Sequence, residues 1–275
     1  MTIQWFPGHM AKARRELERR LPEVNFVLEV LDARAPLASQ NPDLTELLTQ
    51  KLHLLVLNKA DLASPPVTAH WIKTLRAKGR KAISFSALKE SPRKLLQAIR
   101  EQGSSLPQRG DLRLLIAGIP NVGKSALINK LVGRRRAAVG ARPGLTKSQQ
   151  WIRAAKNLVI MDTPGILWPK FSDPETGYKL AAINAIRTEV LPLEEVALWL
   201  AQQLNKLAPL TLETTYDLKS SNAVDILSGI ANRRGLYLSG GRLDTERAAA
   251  LLLREFQQGK LGRVSLEEAK KGDGM

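Results

Sequence analysis

The glycine-rich segment GIPNVGKS, at residues 118–125, is the strongest indication of the fold of this chain. An apolar run at 112–117 precedes it and a helical pattern at 124–132 follows it, so the segment joins a strand to a helix. In such a loop the glycines let backbone N–H groups approach a phosphate, and the helix N-terminus adds its dipole. The sequence therefore predicts a phosphate-binding loop, in which Lys124 neutralises phosphate charge during catalysis. The predicted phosphate contacts are Asn121, Val122, Gly123, Lys124, Ser125 and Ala126, together with Gly165 farther along the chain.

Three oxygen-bearing side chains are predicted to bind a magnesium ion beside this loop. The Ser125 hydroxyl lies at the start of the predicted helix, where it offers a ligand to Mg²⁺. Asp162 follows a later strand pattern and opens the segment DTPG, which fits the D-x-x-G element that contacts a γ-phosphate. The N–H of Gly165 is expected to face that phosphate in a catalytic role. Thr146, in the segment RPGLT, is the third predicted ligand, although a threonine there also suits an ordinary turn.

The segment NKAD, which directly follows another apolar run, is typical of a loop that recognises guanine. The Asp61 carboxylate can accept hydrogen bonds from the ring N–H and the exocyclic amine of guanine, whereas adenine presents a lone pair and leaves it unpaired. Asn58 is expected to tether the loop and contact the base, and the stem of Lys59 to lie over the ring. After the next predicted strand, Ser86 and Ala87 resemble a second base-contacting loop. These residues predict a preference for GTP over ATP.

The guanine-type loop begins 60 residues before the phosphate loop, the reverse of the usual order in GTPases. Because a pocket needs its loops to be close only in space, this order predicts a circularly permuted P-loop GTPase domain. Strand and helix patterns alternate up to about residue 177, as in a doubly wound, mostly parallel α/β sheet, and helical periodicity follows. We predict an N-terminal arm and helix packed on the GTPase domain (1–21), the GTPase domain itself (22–177), and an all-α C-terminal domain with a loose tail after about Leu266 (178–275). The helices predicted in this last domain are 180–187, 194–206, 223–232 and 244–257.

The net charge of +16 comes entirely from the first part of the chain. Residues 1–165 hold 28 lysines and arginines against 12 acidic residues, whereas residues 166–275 hold 14 of each. A field of this size attracts polyanions, and we predict RNA as the partner and no DNA, although a basic surface also serves solubility alone. Cysteine is absent, which excludes disulfides and thiolate metal sites. The candidate RNA contacts are Arg14, Arg15, Arg134, Arg135 and Arg136.

The chain resembles the YlqF/RbgA family of circularly permuted GTPases through six segments: WFPGHMAKARRE, DARAP, NKAD, GIPNVGKS, RPGLT and DTPGILWPKF. The helical C-terminal part, with its NRRG and SGG segments, is also similar to that family. The resemblance implies a protein that hydrolyses GTP to GDP and phosphate and acts in late assembly of the large ribosomal subunit, with hydrolysis gating its release from the particle. It further implies ribosomal RNA as a contact of the helical domain, a cytoplasmic location, and a monomer away from the ribosome.

The resemblance also implies where catalytic help comes from. Ile166 occupies the position at which many GTPases carry a glutamine that orients the attacking water, so hydrolysis is expected to be slow until ribosomal particles stimulate it. The family's N-terminal histidine, matched by His9, is proposed to act in catalysis, whereas on spacing alone His9 could equally face solvent. The family's phosphate-loop asparagine, matched by Asn121, resembles a K⁺ ligand of related GTPases, where the cation would neutralise charge developing between the phosphates.

Two other functions fit the same residues. In the first, the protein binds structured RNA, GTP only tunes its affinity, and turnover is incidental. In the second, it is a GTPase that acts on a membrane or protein partner, and its basic residues only confer solubility. No apolar run is long enough for a membrane span and no lipidation signal is present, which argues against a membrane partner.

Overall fold

The structure, a computed structural model, describes seven stretches of the chain. They are residues 8–48, 50–106, 110–133, 151–162, 173–186, 192–219 and 222–269. For residues 8–13 and 162 only the course of the backbone is described.

Six strands of the described stretches form one sheet, in the order β3-β2-β1-β4-β6-β5. They are β1 (Phe26–Asp32), β2 (Leu52–Asn58), β3 (Ala82–Ser84), β4 (Leu112–Ala117), β5 (Trp151–Ala155) and β6 (Leu158–Asp162). All neighbouring strands are parallel except β5 and β6, which form an antiparallel hairpin. This arrangement confirms the predicted α/β class with a mostly parallel sheet.

Ten α-helices are found in the described stretches. They are α1 (Gly8–Arg20), α2 (Pro42–Leu48), α3 (Pro65–Ala77), α4 (Pro92–Gly103), α5 (Lys124–Val132), α6 (Pro174–Ala182), α7 (Leu193–Leu207), α8 (Pro209–Tyr216), α9 (Ala223–Arg233) and α10 (Thr245–Gln257). None of the helices in these stretches is long and apolar enough to cross a membrane.

The central strands are apolar on both faces because helices cover the sheet on each side. Every residue of β1 is buried, as are the last five residues of β2 and the last four of β4. The chain places β2 and β3 on one side of β1 and then crosses to its other side to form β4. In open α/β sheets a ligand binds beyond the carboxyl ends of the strands where the order reverses in this way. The fold therefore predicts a ligand-binding site at the loops that follow β1 and β4.

Helix α6 starts earlier than the helix predicted at 180–187, and that prediction is wrong in its position. The Asp173 side chain accepts hydrogen bonds from the N–H groups of Glu175 and Thr176, and Pro174 fills the first helical position. These are strong start signals, and they come seven residues before the predicted start at 180. The predicted domain boundary between residues 177 and 178 thus falls inside a helix; the boundary itself stays a prediction.

The helices after α6 share one apolar core with the sheet. Buried side chains of α7, α9 and α10 belong to the same cluster as those of β1, β2 and β4. Helix α8 was not predicted, because Thr211, Thr214 and Thr215 favour a helix poorly and mask its pattern. After α10 the chain returns toward the sheet, and it is described as far as residue 269. Leu266, from which a loose tail is predicted, is itself buried.

Candidate nucleotide-binding site

The predicted phosphate-binding and base-binding segments meet at the carboxyl edge of the sheet. The loop 118–123 follows β4, and the segment that begins at Asn58 follows β2, one strand beyond β1. Asp162 ends β6, where its backbone pairs with Ile116 of β4. The DTPG segment therefore begins beside the phosphate loop, as its predicted role requires.

Two glycines of the phosphate loop have conformations and surroundings that exclude a side chain. Gly118 has a φ of +148°, and a Cβ there would lie 2.5 Å from the carbonyl oxygen of Val30. Gly123 has a φ of +101°, and a Cβ there would lie 2.2 Å from Nδ2 of Asn58. Such distances are far below van der Waals contact, so both positions require glycine. The same two residues let the loop backbone turn its N–H groups toward a bound anion.

Lys124 starts helix α5 and is almost completely buried. Its Nζ donates hydrogen bonds to the carbonyl oxygens of Gly118, at 3.1 Å, and Ile119, at 2.8 Å. The ammonium group is thus folded over the phosphate loop instead of pointing into solvent. Ser125 follows in the first turn of α5, next to the loop. Both side chains lie at a helix N-terminus, which favours anions.

The side chain of Asn58 joins three loops of the site. Its Nδ2 donates to the carbonyl oxygen of Val122 in the phosphate loop, at 2.8 Å. Its Oδ1 accepts from the N–H of Ala87, at 3.0 Å, in the second predicted base loop. Asn58 is 1% exposed, so both hydrogen bonds are shielded from water. The predicted tether is present, and it places the phosphate and base loops side by side.

Lys59 is held in place by a buried ion cluster that the sequence reasoning missed. Its Nζ lies 2.9 Å from Oδ2 of Asp32, and Arg34 donates to both oxygens of the same carboxylate, at 2.8 and 2.9 Å. Burial disfavours the charged form of Asp32, but the charges of Arg34 and Lys59 outweigh it and hold its pKa far below the ordinary value. Burial lowers the pKa of Lys59, although Asp32 opposes this shift. Charged residues directly after the buried strand β1 were the signal for this cluster.

The side chains of Asp61 and Ser86 differ in their burial and in the hydrogen bonds that they make within the protein. No hydrogen bond to the Asp61 carboxylate is found in the described part of the chain, and the residue is only partly buried. Its two oxygens can therefore accept the two N–H groups of guanine. Ser86 is buried, and its hydroxyl accepts from the N–H of Lys89 at 3.1 Å. It shapes the second base loop through this turn, and a direct contact with the base remains a prediction.

Asn121 has a left-handed backbone conformation, with a φ of +59°. Its Nδ2 donates to the carbonyl oxygen of Asn184, at 2.6 Å, just after α6. This bond fixes the orientation of the amide group at the mouth of the phosphate loop. The role of its oxygen as a K⁺ ligand is a prediction that this geometry does not test.

Several predicted site residues have undescribed side chains or lie outside the described stretches. His9 falls in the first turn of α1 and Asp162 at the end of β6, and only their backbones are described. The residues outside the described stretches are Thr146, Gly165, Arg134, Arg135 and Arg136.

The two remaining candidate RNA contacts lie on helix α1. Arg14 forms ion pairs with Glu18 and Asp43, both at 3.0 Å. An RNA phosphate would therefore compete with these carboxylates for its guanidinium group. Arg15 is exposed. The structure thus leaves Arg15 the more accessible of the two.

The residues beside the phosphate loop fit a magnesium ion. Mg²⁺ prefers hard oxygen ligands and takes few of them from the protein, because it keeps water and phosphate oxygens. The Ser125 hydroxyl is placed at the start of α5, and the backbone brings Asp162 to the adjacent strand end. These two residues would hold the ion, with Thr146 as the third predicted ligand. Within the described stretches no group of three or more His, Cys, Asp or Glu residues offers another metal site.

Comparison with known proteins agrees with this site. Residues 113–222 match the family described as "50S ribosome-binding GTPase". The chain is 42% identical to a Bacillus cereus protein named ribosome biogenesis GTPase A, over 97% of this chain and 94% of that protein. It is also similar to GNP-bound YlqF from Thermotoga maritima, with a TM-score of 0.70 and 32% identity over 94% of this chain and 98% of that one. A GDP-bound YlqF structure gives a TM-score of 0.74 and 30% identity over 92% and 99%.

Proposed function

This chain belongs to the ribosome biogenesis GTPase A family, and we propose that its GTP hydrolysis gates its release from the large ribosomal subunit late in assembly. It binds and hydrolyses GTP and acts in ribosome assembly. The alternative of an RNA-binding protein with incidental turnover is not favoured. We further propose that it acts in the cytoplasm, as a monomer away from the ribosome.

The observation that carries this function is the pair of hydrogen bonds made by Asn58. One buried amide ties the phosphate loop at Val122 to the second base loop at Ala87, and its own backbone starts the guanine-type loop. A pocket assembled in this way has a phosphate-binding loop and the predicted base-binding loops side by side, as a nucleotide requires. The permuted chain order does not disturb it, because the loops meet in space.

The chemistry at the phosphate end follows from the residues placed there. In this proposal Lys124 exchanges its hydrogen bonds to loop carbonyls for bonds to β- and γ-phosphate oxygens and so offsets their charge. Mg²⁺ supplies charge neutralisation between the β- and γ-phosphates when it is bound by Ser125, Thr146 and Asp162. The Gly165 N–H is proposed to contact the γ-phosphate, where it would report whether that group is present.

We predict that His9 takes part in catalysis in place of the missing glutamine and that K⁺ neutralises charge developing between the phosphates. With ribosomal particles present, hydrolysis should fall at least about tenfold in the variant His9→Ala, and by a similar factor when Na⁺ replaces K⁺. Steady-state phosphate release under matched ionic strength measures both effects. A His9→Ala variant as fast as the wild type would remove His9 from the mechanism. Equal rates in the two salts would remove the K⁺ role given to Asn121.

The helical part of the chain carries a basic cavity that suits an RNA phosphate. Arg247, Leu251 and Arg254 lie on one face of α10, and with Arg234 they surround a cavity of about 390 Å³. No ion pair or hydrogen bond of the Arg254 guanidinium is found in the described stretches, and Arg234 lies 3.6 Å from Glu255. One guanidinium group can bind two phosphate oxygens at once. The apolar side chain of Leu251 can contact a sugar or a base. We propose ribosomal RNA of the large subunit as its partner.

Co-sedimentation with large-subunit particles tests this partner. We expect binding to be tighter with a non-hydrolysable GTP analogue than with GDP and to weaken steeply as salt rises. The variant Arg254→Ala should weaken binding about three- to tenfold and reduce the slope of log K against log salt by about one. Lys206→Ala removes an equally exposed charge from α7 and should leave both values unchanged.

Two results would contradict these proposals. If GDP and the GTP analogue give the same affinity for the particles, hydrolysis does not gate release. If Arg254→Ala and Lys206→Ala change the affinity for the particles equally, the cavity on α10 is not an RNA contact. The basic residues then act only through the overall positive charge.

A further inference from the structure

The chain after α10 runs back across the guanine-type loop. We call residues 259–267 the C-terminal strap. The N–H of Val264 donates to the carbonyl oxygen of Leu62 at 3.2 Å. The hydroxyl of Ser265 accepts from the N–H of Ser64 at 3.1 Å. The strap thus binds the backbone that immediately follows NKAD.

Arg263 holds the same backbone from within the strap. Its Nη2 donates to the carbonyl oxygen of Ala60 at 2.9 Å, and its Nε donates to that of Ala63 at 3.2 Å. Asp61, the predicted guanine-binding carboxylate, lies between these two residues. One guanidinium group therefore spans the turn that carries Asp61. Because the hydrogen bonds it makes within the described stretches go to carbonyl groups, it fixes the backbone and leaves the Asp61 side chain to the base.

The far end of the strap is anchored on the loop after β1. The N–H of Leu266 donates to the carbonyl oxygen of Arg34 at 2.7 Å. The Glu267 carboxylate accepts from the N–H groups of Leu37, at 2.7 Å, and Ala38, at 3.1 Å. Both Leu266 and Glu267 are buried. The strap is therefore held against the base loop by Arg263, Val264 and Ser265, and against the loop after β1 by Leu266 and Glu267.

A second route connects the helical part of the chain to Lys59. Arg34, which pairs with Asp32 beside Lys59, donates from Nη1 to the carbonyl oxygen of Phe256 at 3.4 Å. Its guanidinium carbon lies 5.2 Å from the centre of the Phe256 ring. The end of α10 and the strap thus support both Lys59 and Asp61, the two residues expected to meet the guanine ring.

We propose that the C-terminal strap is part of guanine recognition and that Arg263 is a positioning residue for Asp61. The proposal rests on the proposed function, since it assumes that Asp61 binds guanine. Its consequence is that the part of the chain from α6 onward contacts both ends of the pocket. The carbonyl oxygen of Asn184, just after α6, accepts from Asn121 in the phosphate loop, and the strap holds the base loop. Release of guanine nucleotide and movement of the strap are then energetically coupled.

The test compares GDP with IDP, whose base lacks the exocyclic amine but keeps the ring N–H. In Arg263→Ala, the affinity for GDP should fall about tenfold and that for IDP about threefold, because a displaced carboxylate loses both hydrogen bonds to guanine but only one to hypoxanthine. Arg263→Lys can keep one of the two carbonyl contacts, so its affinities for GDP and IDP should lie between those of the wild type and those of Arg263→Ala. Lys260→Ala is the matched control: this strap lysine is exposed, and no hydrogen bond or ion pair of its side chain is found in the described stretches.

The ratio of the two affinities separates positioning from general stability. If Arg263→Ala lowers the melting temperature but leaves the GDP-to-IDP ratio at the wild-type value, the strap is only structural and the proposal is overturned. If Arg263→Ala binds GDP and IDP with the wild-type affinities, the proposal is also overturned. If the wild type itself shows no preference for GDP over ADP, the result contradicts the proposed guanine site, and not the role of the strap alone.

Hydrogen exchange provides a readout within the strap itself. The amide proton of Val264 is bonded to the backbone after NKAD and that of Leu266 to the loop after β1, so both report whether the strap is docked. GDP should slow their exchange in the wild type, and IDP should slow it less. Equal exchange with and without GDP would overturn the coupling.

Discussion

Replacing Asp61 with asparagine is expected to weaken GTP binding about 10²- to 10³-fold and to strengthen the binding of xanthosine triphosphate by a similar factor. The carboxylate is proposed to accept two N–H groups of guanine, and no hydrogen bond to it is found in the described stretches. An asparagine amide would point an N–H group at the exocyclic amine of guanine, which repels it. Xanthine has a carbonyl group at that position, so the same N–H becomes a hydrogen-bond donor to the base.

Competition binding with GTP, XTP and ATP measures this exchange of specificity. ATP serves as the control. The Asp61 carboxylate faces a lone pair of adenine, and an asparagine amide can make at most one hydrogen bond to that edge, so the affinity for ATP should stay below that for the preferred nucleotide in both proteins. The melting temperature should change little, since Asp61 is partly exposed and makes no internal hydrogen bond in the described part of the chain. An unchanged affinity for GTP would show that NKAD is not the base-recognition loop.

Replacing Gly123 with alanine is expected to lower nucleotide affinity at least about 100-fold, because it combines backbone strain with the loss of a buried hydrogen bond. The added Cβ would lie 2.2 Å from Nδ2 of Asn58, so that side chain must move. Its bond to Val122 then breaks, and the phosphate and base loops lose the link that sets their distance. A pocket whose two ends no longer match the length of GTP cannot bind it tightly.

Gly133 provides a matched control at the other end of the same helix. It also has a positive φ, of +74°, but a Cβ there meets no described atom within 4 Å. Gly133→Ala should therefore lower the free energy of unfolding by about 1–2 kcal/mol and leave GTP affinity unchanged. Calorimetric titration with GTP and thermal unfolding of both variants separate the two effects. If Gly123→Ala binds GTP as well as Gly133→Ala does, the close packing of Asn58 on the loop does not control the pocket.

Local patterns in the sequence were sufficient to predict most elements of the GTPase part. The phosphate loop, the NKAD loop and the strands before them are each encoded within about ten residues, so apolar runs and glycine spacing reveal them. Helix α6 begins earlier than apolar periodicity alone predicts, because its start is set by the Asp173 cap and by Pro174. The family resemblance added His9 and Asn121, whose catalytic roles stay predictions.

The chemistry of the pocket can be predicted from the sequence, because each binding loop is a short segment whose residue types must suit a phosphate, a metal ion or a purine. What holds those loops in place is visible only in the folded protein. Arg34 meets Phe256 across 222 positions, and Arg263 meets Ala60 across 203. Nothing in either neighbourhood predicts such a pairing, because a hydrogen bond to a backbone carbonyl can be made with any residue type. Packing of α10 against the sheet brings these partners together, and long-range packing of this kind cannot be derived from local patterns in one sequence.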